Sequence, residues 1–397
     1  MMNTYFILIE INHSEFVFSV GNKYEEKKIK FIHSQSVPIE GIENLKFTDL
    51  DLVIKLIKKN IIIIEQKLNY IFKEIILIVN NFNCSFINLT GFKKLNGSQV
   101  LKENITYILN SLKSNIDNIE EKKKIIHIFN SKYFLDNKEL ENLPIGLFGD
   151  FYSHELSFCL INKNDFNNLN YIFNKCNLKI KKILFKSFVE CSYLSKINDN
   201  KDTFFLIEIK DNFSQIYFFE NSSLVFEQRF NFSLNLVQKD ISKITSLKKE
   251  TVEKIILSNA IKKDSSDAEF LEEYYFKNEN YVKIKKRLLF QIAEARIEEL
   301  LNIIFIENVN LQKFRKKNNL VFVKIVNKAQ RSCFEDIFRS FLSLKNRLDL
   351  QFIENFSNEI MLDSVYKLVH FGWKKEAVPV TSARKSLIAR FFEMLFN

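Results

Sequence analysis

Apolar and polar positions along this chain follow two rhythms, one of period two and one near 3.6. Residues 5–20 are apolar and β-prone with a polar break at 12–14, which predicts strand, turn, strand. Ile54, Ile57, Ile61, Ile64 and Leu68 then recur at helical spacing and predict a helix over 50–71. A strand is expected over 73–79. Residues 81–160 have a different texture: a helix over 99–112, an apolar strand over 124–129, a turn-rich stretch over 137–150 and an alternating strand over 151–161. The first order then returns. A helix over 165–176 precedes a strand over 180–184. Residues 204–209 and 214–219 form a second hairpin broken at 210–213, and 224–230 offers a third strand. Two distant segments thus each read strand, polar turn, strand, the sign of an internal duplication. Beyond them come helical patterns over 236–258, 281–306, 332–344 and 358–371, a charged stretch over 262–279 and a buried strand over 320–326. A linker over 374–381, containing Pro379, leads to an amphipathic stretch over 382–397.

Composition narrows the classes. The 397 residues suit two to four subdomains, and 46% hydrophobic with 27% charged residues is a globular balance. The net charge of +10 comes from Lys mixed with Asp and Glu, without the Arg-rich stripe or aromatic signature of a nucleic-acid binder. Nucleic acid is therefore not an expected partner. Cys84, Cys159, Cys176, Cys191 and Cys333 form no Cys-x-x-Cys pair and read as reduced, cytoplasmic thiols. The apolar run over 54–64 is interrupted by Lys55, Lys58 and Lys59, and no signal peptide is read, so a soluble or peripheral protein is expected. His13, His33, His127, His154 and His370 make no metal-spaced pair, so no metal site is expected. No P-loop or nucleophile elbow occurs. Glycine is scarce. Seven are present where average usage would give about 28, and none lies between Gly149 and Gly372.

One stretch is specific. Residues 125–161, IIHIFNSKYFLDNKELENLPIGLFGDFYSHELSFCLI, combine an apolar strand, Asp136, Asn142, Pro144, Gly146, Gly149 and a following strand with His154 near its start. This pattern resembles the signature of FtsA, a bacterial cell-division family of the actin-like ATPase superfamily, with Leu143 interrupting the usual Asn-Pro pair. The segments CNLKIKKILFKSFVECSYLSK, FFLIEIKDNFSQIYFFENSSL, KDISKITSLKKETVEKI and RLLFQIAEARIEELLNII fall into register with that family's later elements. The resemblance implies an α/β, actin-like (ribonuclease H-like) two-domain fold with an inserted α+β subdomain of the SHS2 type and a C-terminal amphipathic helix. The implied partition is 1–80 with the first phosphate hairpin, 81–160 as the insert, and 161–198 returning to the first subdomain. Residues 199–235 would carry the second hairpin, 236–300 an FtsZ-contacting subdomain, and 301–373 the rest of the core. A linker over 374–382 and a membrane helix over 383–397 would follow.

The resemblance also implies a function: tethering FtsZ filaments to the inner face of the cytoplasmic membrane at the division site. Self-association, anionic lipid and other division proteins come with it. A pilus-assembly adaptor shares the subdomain plan but is recruited by a partner peptide. A sugar kinase would need a catalytic Asp and intact Gly loops. ATP with Mg²⁺ is the family's cofactor, and its candidate residues here are Glu10, Asn12, His13, Ser14, Glu208, Lys210, Asn212, Asn327 and Lys328. Each hairpin has Glu where the family has Asp. Asn12 and Lys210 replace Gly, with Asn12 able to support a left-handed turn. The turn 327–330 has lost the Gly pair that meets adenosine. Glu10 and Glu208 either face Mg²⁺ with Lys210 on phosphate, or are simple hairpin polar residues. Either way the erosion points away from an efficient enzyme.

In the tail, Leu387, Ile388, Phe391, Phe392, Met394, Leu395 and Phe396 share one arc at 100° per residue, with Arg384, Lys385 and Arg390 able to meet headgroups. The alternative is a last helix docked on the core. Lys285, Lys286, Arg287 and Arg296, on or near the long helix, are candidates for an acidic partner peptide, or a solvated face.

Overall fold

The computed structural model describes residues 4–25, 28–43, 46–80, 82, 84–198, 201–262, 266, 268–277, 279–315 and 320–377. Two compact units emerge. The first takes the chain to Asp202 with Glu220–Val225 and the segment from Phe356; the second takes Thr203–Phe219 and Phe226–Asn355.

The first unit begins with strands β1 (Thr4–Ile11), β2 (Glu15–Glu25) and β3 (Lys28–Pro38). Helix α1 (Leu50–Leu68) follows, with Asp49 accepting from the Leu52 amide at its start. It buries Ile57, Ile61 and Ile64 of the stripe read from the sequence, with Val53 in place of Ile54 at its start and Leu68 only half-buried at its end. It ends at Leu68, short of residue 71, because Asn69 turns left-handed with φ 49° and its amide bonds back to the last turn. β4 (Glu74–Val79) then runs parallel to β1.

The module that follows consists of β5 (Ser85–Lys94), α2 (Lys102–Ile119), β6 (Lys123–Leu135), β7 (Lys138–Leu140) and β8 (Phe151–Asn162). Its strands pair in the order β5-β8-β6-β7. Ile105, Ile108, Leu112 and Ile116 of α2 pack on Tyr133, Tyr152, Leu156 and Phe158 of the sheet. Gly91 lets α2 come close, since a Cβ there would collide with Ile108. α2 lies later and runs longer than its apolar pattern over 99–112 predicts. β6 continues well past Phe129, where the apolar run stops.

The chain returns through α3 (Lys163–Lys175), β9 (Lys179–Phe185) and α4 (Lys186–Ile197). The main sheet of this unit is ordered β9-β4-β1-β2-β3.

The second unit repeats that plan. β10 (Phe204–Ile209) and β11 (Ser214–Glu220) form the hairpin, and β12 (Ser223–Phe230) lies beyond it. α5 (Asn235–Thr245) and α6 (Lys249–Leu257) replace the single helical stretch over 236–258, the break falling at left-handed Ser246. α7 (Lys286–Leu301) begins later than residue 281 and passes into a wider turn, Asn302–Ile306. β13 (Leu320–Ile325), α8 (Lys328–Arg339) and β14 (Asp349–Phe352) complete it. The sheet order is β12-β11-β10-β13-β14, the same arrangement as in the first unit. The duplication expected from the sequence is therefore a duplication of sheet topology.

α9 (Asn358–Phe371) coincides with its apolar pattern and belongs to the first unit. The segment after it was expected to open a linker, and the structure differs. Glu376 bridges to Phe129, the Asn130 amide donates to the Lys375 carbonyl at 2.7 Å, and the Ala377 amide donates to Ile128 at 2.7 Å. Residues 374–377 are thus strapped to β6. The rest of the expected linker and the amphipathic stretch lie outside the described residues. Among the described residues no helix is long and apolar enough to cross a membrane.

Candidate functional site

The two hairpin tips are built alike. In the first unit the Asn12 amide closes the turn on the Glu15 carbonyl at 3.0 Å, and the Asn80 amide donates to Ile11 at 3.1 Å. In the second, the Lys210 amide closes on Phe213 at 3.0 Å and the Val326 amide donates to Ile209 at 2.9 Å. Each tip is also tied by a side-chain amide from the end of the parallel neighbour. Asn80 Nδ2 donates to Asn12 Oδ1 at 3.1 Å, and Asn327 Nδ2 to Asp211 Oδ1 at 3.3 Å.

Neither turn uses a left-handed residue. Positive φ occurs at Asn69, Asp136 and Ser246 among others, but at none of residues 12–14 or 210–213. The left-handed role expected of Asn12 is not used; its side chain instead accepts from Asn80 and, at 3.2 Å, from Lys186. His13 and Ser14 are exposed at the first tip and Asn212 at the second, where Asn212 Oδ1 accepts from Asn235 Nδ2 at 2.7 Å.

Glu10 and Glu208 both turn inward, each 4% exposed. A carboxylate at that depth needs a counter-charge. Lys186, the first residue of α4, supplies it to Glu10. Lys324 of β13, the residue opposite Glu208 in the parallel register, lies 3.0 Å from one oxygen of Glu208, and Lys210 lies 3.1 Å from the other. Lys210 also reaches Gln215 Oε1 at 3.4 Å and covers the Phe213 ring. Sequence reasoning named both glutamates and Lys210 but missed Lys186 and Lys324. The signal for Lys324 was a lone charge inside the apolar run LVFVKI, which calls for a buried partner.

At the third element, Asn327 caps α8: its Oδ1 accepts the amides of Ala329 at 3.1 Å and Gln330 at 3.2 Å. Those amides are the donors a helix start would otherwise present to a ligand. Lys328 is exposed.

No family model matches the chain. Curated relatives do. The cell division protein FtsA of Buchnera aphidicola from Acyrthosiphon pisum is 21% identical over 98% of this chain and 95% of its own length. That of Escherichia coli K12 is 20% identical over 92% of this chain and 89% of its own. The chain is similar to FtsA proteins along nearly its whole length. Among solved structures, the PilM-PilN type IV pilus biogenesis complex has a chain that overlays with a TM-score of 0.54, at 9% identity, over 93% of this chain and 97% of that one. MreB 5 of Spiroplasma citri bound to AMPPNP gives a TM-score of 0.45 at 11% identity, over 92% and 95%. The fold is actin-like.

The residues that resemble the FtsA signature have physical roles in the fold. Asp136, at φ 52°, accepts the amides of Asp150 and Phe151 on one oxygen, both at 2.8 Å. Gly146 takes φ 85°, and Gly149 has no room for a Cβ beside Leu135 and Asp136. His154 lies fully buried beside the ring of Tyr133, 4.9 Å between centroids.

Lys286 and Arg296, of the cations considered for an acidic partner, hold carboxylates within the second unit. Lys286 pairs with Glu272 at 2.7 Å. Arg296 donates to Asp240 and, at 2.6 Å, to Glu299; the Asp240 bond raises its pKa. Lys285 and Arg287 are exposed.

A further buried ionic cluster was not foreseen. Glu376, with no exposure, holds His127 Nδ1 at 2.7 Å and Lys182 Nζ at 2.8 Å. It lies where the described chain ends, and it fastens that end to the first unit.

Proposed function

We propose that this chain is a cell-division adaptor that holds FtsZ filaments to the inner face of the cytoplasmic membrane. The observation that carries the reading is kinship along the whole length: proteins named cell division protein FtsA match 92–98% of the chain. The duplicated fold and its four-stranded insert agree with it.

Lipid contact is assigned to residues 383–397 on their sequence. Leu387, Ile388, Phe391, Phe392, Leu395 and Phe396 enter the interface while Arg384, Lys385 and Arg390 stay among anionic headgroups. Each basic residue there adds about 1 kcal/mol. The FtsZ contact is assigned to the region 236–300, with Lys285, Lys286, Arg287 and Arg296 as the candidates for an acidic peptide. Self-association is assigned to the insert, 81–160.

Co-sedimentation with anionic vesicles tests the lipid assignment. The full chain should pellet with vesicles, and a chain ending at Pro379 should stay in the supernatant with its melting temperature unchanged. Equal behaviour of the two would place lipid binding elsewhere or nowhere.

A further inference from the structure

An actin-like hairpin that works on nucleotide presents its carboxylate to a hydrated divalent cation and its backbone amides to phosphate. The residues of this chain do not fit that group. Neither tip contains glycine or a left-handed residue to open its amides, and the amides at the start of α8 are taken by Asn327. The carboxylates are already neutralised from within: Glu10 by Lys186, and Glu208 by Lys324 and Lys210.

We propose that these lysines stand permanently in place of the divalent cation, so that both hairpins are folded and charge-balanced without Mg²⁺–nucleotide. The two units reach this state by different routes. Lys186 comes from the first turn of a helix, whereas Lys324 comes from a strand directly beside the carboxylate. Topological duplication alone does not give that, because the position of Lys324 corresponds in the first unit to Ile78, the parallel partner of Glu10. An ammonium offers one charge and three donors but no coordination site to share with a phosphate oxygen. The donors are also committed: Lys186 to Glu10 and Asn12, Lys210 to Glu208 and Gln215, Lys324 to Glu208. Lys324 is only 3% exposed, so swinging out to a ligand would remove one of the two cations that balance Glu208. The inference is independent of the tether reading: a chain inert to Mg²⁺–ATP can bind vesicles or fail to, and the vesicle result does not alter this one.

The test is the full chain titrated with Mg²⁺–ATP by calorimetry, with melting followed in parallel. The expected result is no saturable binding at micromolar nucleotide and a melting shift under about 1 °C at millimolar Mg²⁺–ATP. Micromolar affinity, or a rise of roughly 5 °C or more, overturns the proposal. A second arm probes the lysine directly. Lys324→Met should lower the melting temperature by roughly 5 °C or more by leaving one oxygen of the buried Glu208 without its cation, and adding Glu208→Gln should restore at least half of the loss. If Lys324→Met alone does not fold, a folded double variant is the same rescue. A Lys324→Met chain that melts like wild type shows that the ammonium is not the counter-charge, and the idea fails.

Discussion

Glu376 is fully buried, and the forces on its proton oppose one another. Burial favours the neutral acid, but the Lys182 ammonium and the His127 hydrogen bond outweigh it and hold the pKa at about 2, below the ordinary 4.5. His127 accepts the Phe185 amide on Nε2 at 3.3 Å, so Nδ1 carries the proton donated to Glu376 and the ring is neutral. Burial pushes the His127 pKa down, and burial followed by the Lys375 charge pushes that of His154 to about 3. The consequences for stability share one direction. Glu376 contributes fully above pH 4.5 and loses its contribution as pH falls toward 2. The two histidines cost nothing well above 6.5. Below it the unfolded chain takes protons that the folded chain refuses. Urea unfolding should therefore weaken from pH 7 to 5, by up to about 1.4 kcal/mol per pH unit for each histidine. His154→Phe should flatten that slope, and an unchanged slope would contradict the assignment. Glu376→Gln at pH 7 should cost about 3–5 kcal/mol by leaving Lys182 buried and unbalanced. Single residues of this kind were the least legible part of the sequence. The hairpin glutamates could be found from their place before a turn, but Glu376 meets His127 across 249 positions, and no local pattern announces that.

At the level of elements, the sequence was read well where a face was uniformly apolar and poorly where polar residues were buried by distant partners. α9 and the hairpin β10–β11 follow their patterns closely. β6 was cut short at Phe129 because Asn130, Ser131 and Lys132 look like a loop. In the fold Asn130 bonds Lys375, and Lys132 pairs with Glu220 at 2.9 Å, so the strand continues to Leu135. β3 was missed although Ile29 and Phe31 alternate with lysines in KIKFIHSQSVP, because the polar run 33–36 interrupts the pattern of that edge strand. The signature loop shows the reverse case, in which a motif was visible and its reason was not. Asp136 is an anchor for the return of the chain into β8. Asp136→Ala should cost about 1–3 kcal/mol by orphaning two amides. Hydrogen exchange at Asp150 and Phe151 should speed up, while Asp136→Asn, which keeps an acceptor and tolerates the left-handed turn, should stay near wild type. Unchanged exchange in the Ala variant would remove the anchor role.

Over the whole molecule, two sheets of the same strand order carry two tips of the same hydrogen-bond design, and the FtsA relatives share nearly the full length. The expectation of an actin-like fold with an insert came from the repeat of strand, turn, strand and from the residues around Pro144, and the fold agrees. The nucleotide elements were legible only as losses, because a missing glycine says what a loop no longer does and not what replaced it. Residues 374–381, with Pro379 among them, were read as a linker, yet Glu376 and Ala377 are buried. Whatever the tail binds, its root is fixed to β6. The most direct test of the adaptor reading is recruitment of purified FtsZ to anionic vesicles by the full chain, compared with the Phe391→Asp/Phe392→Asp double variant. The account predicts that FtsZ coats the vesicles only with the wild-type chain, and that the double variant leaves it in solution while melting as wild type does. FtsZ on the vesicles with both chains, or with neither, would contradict it.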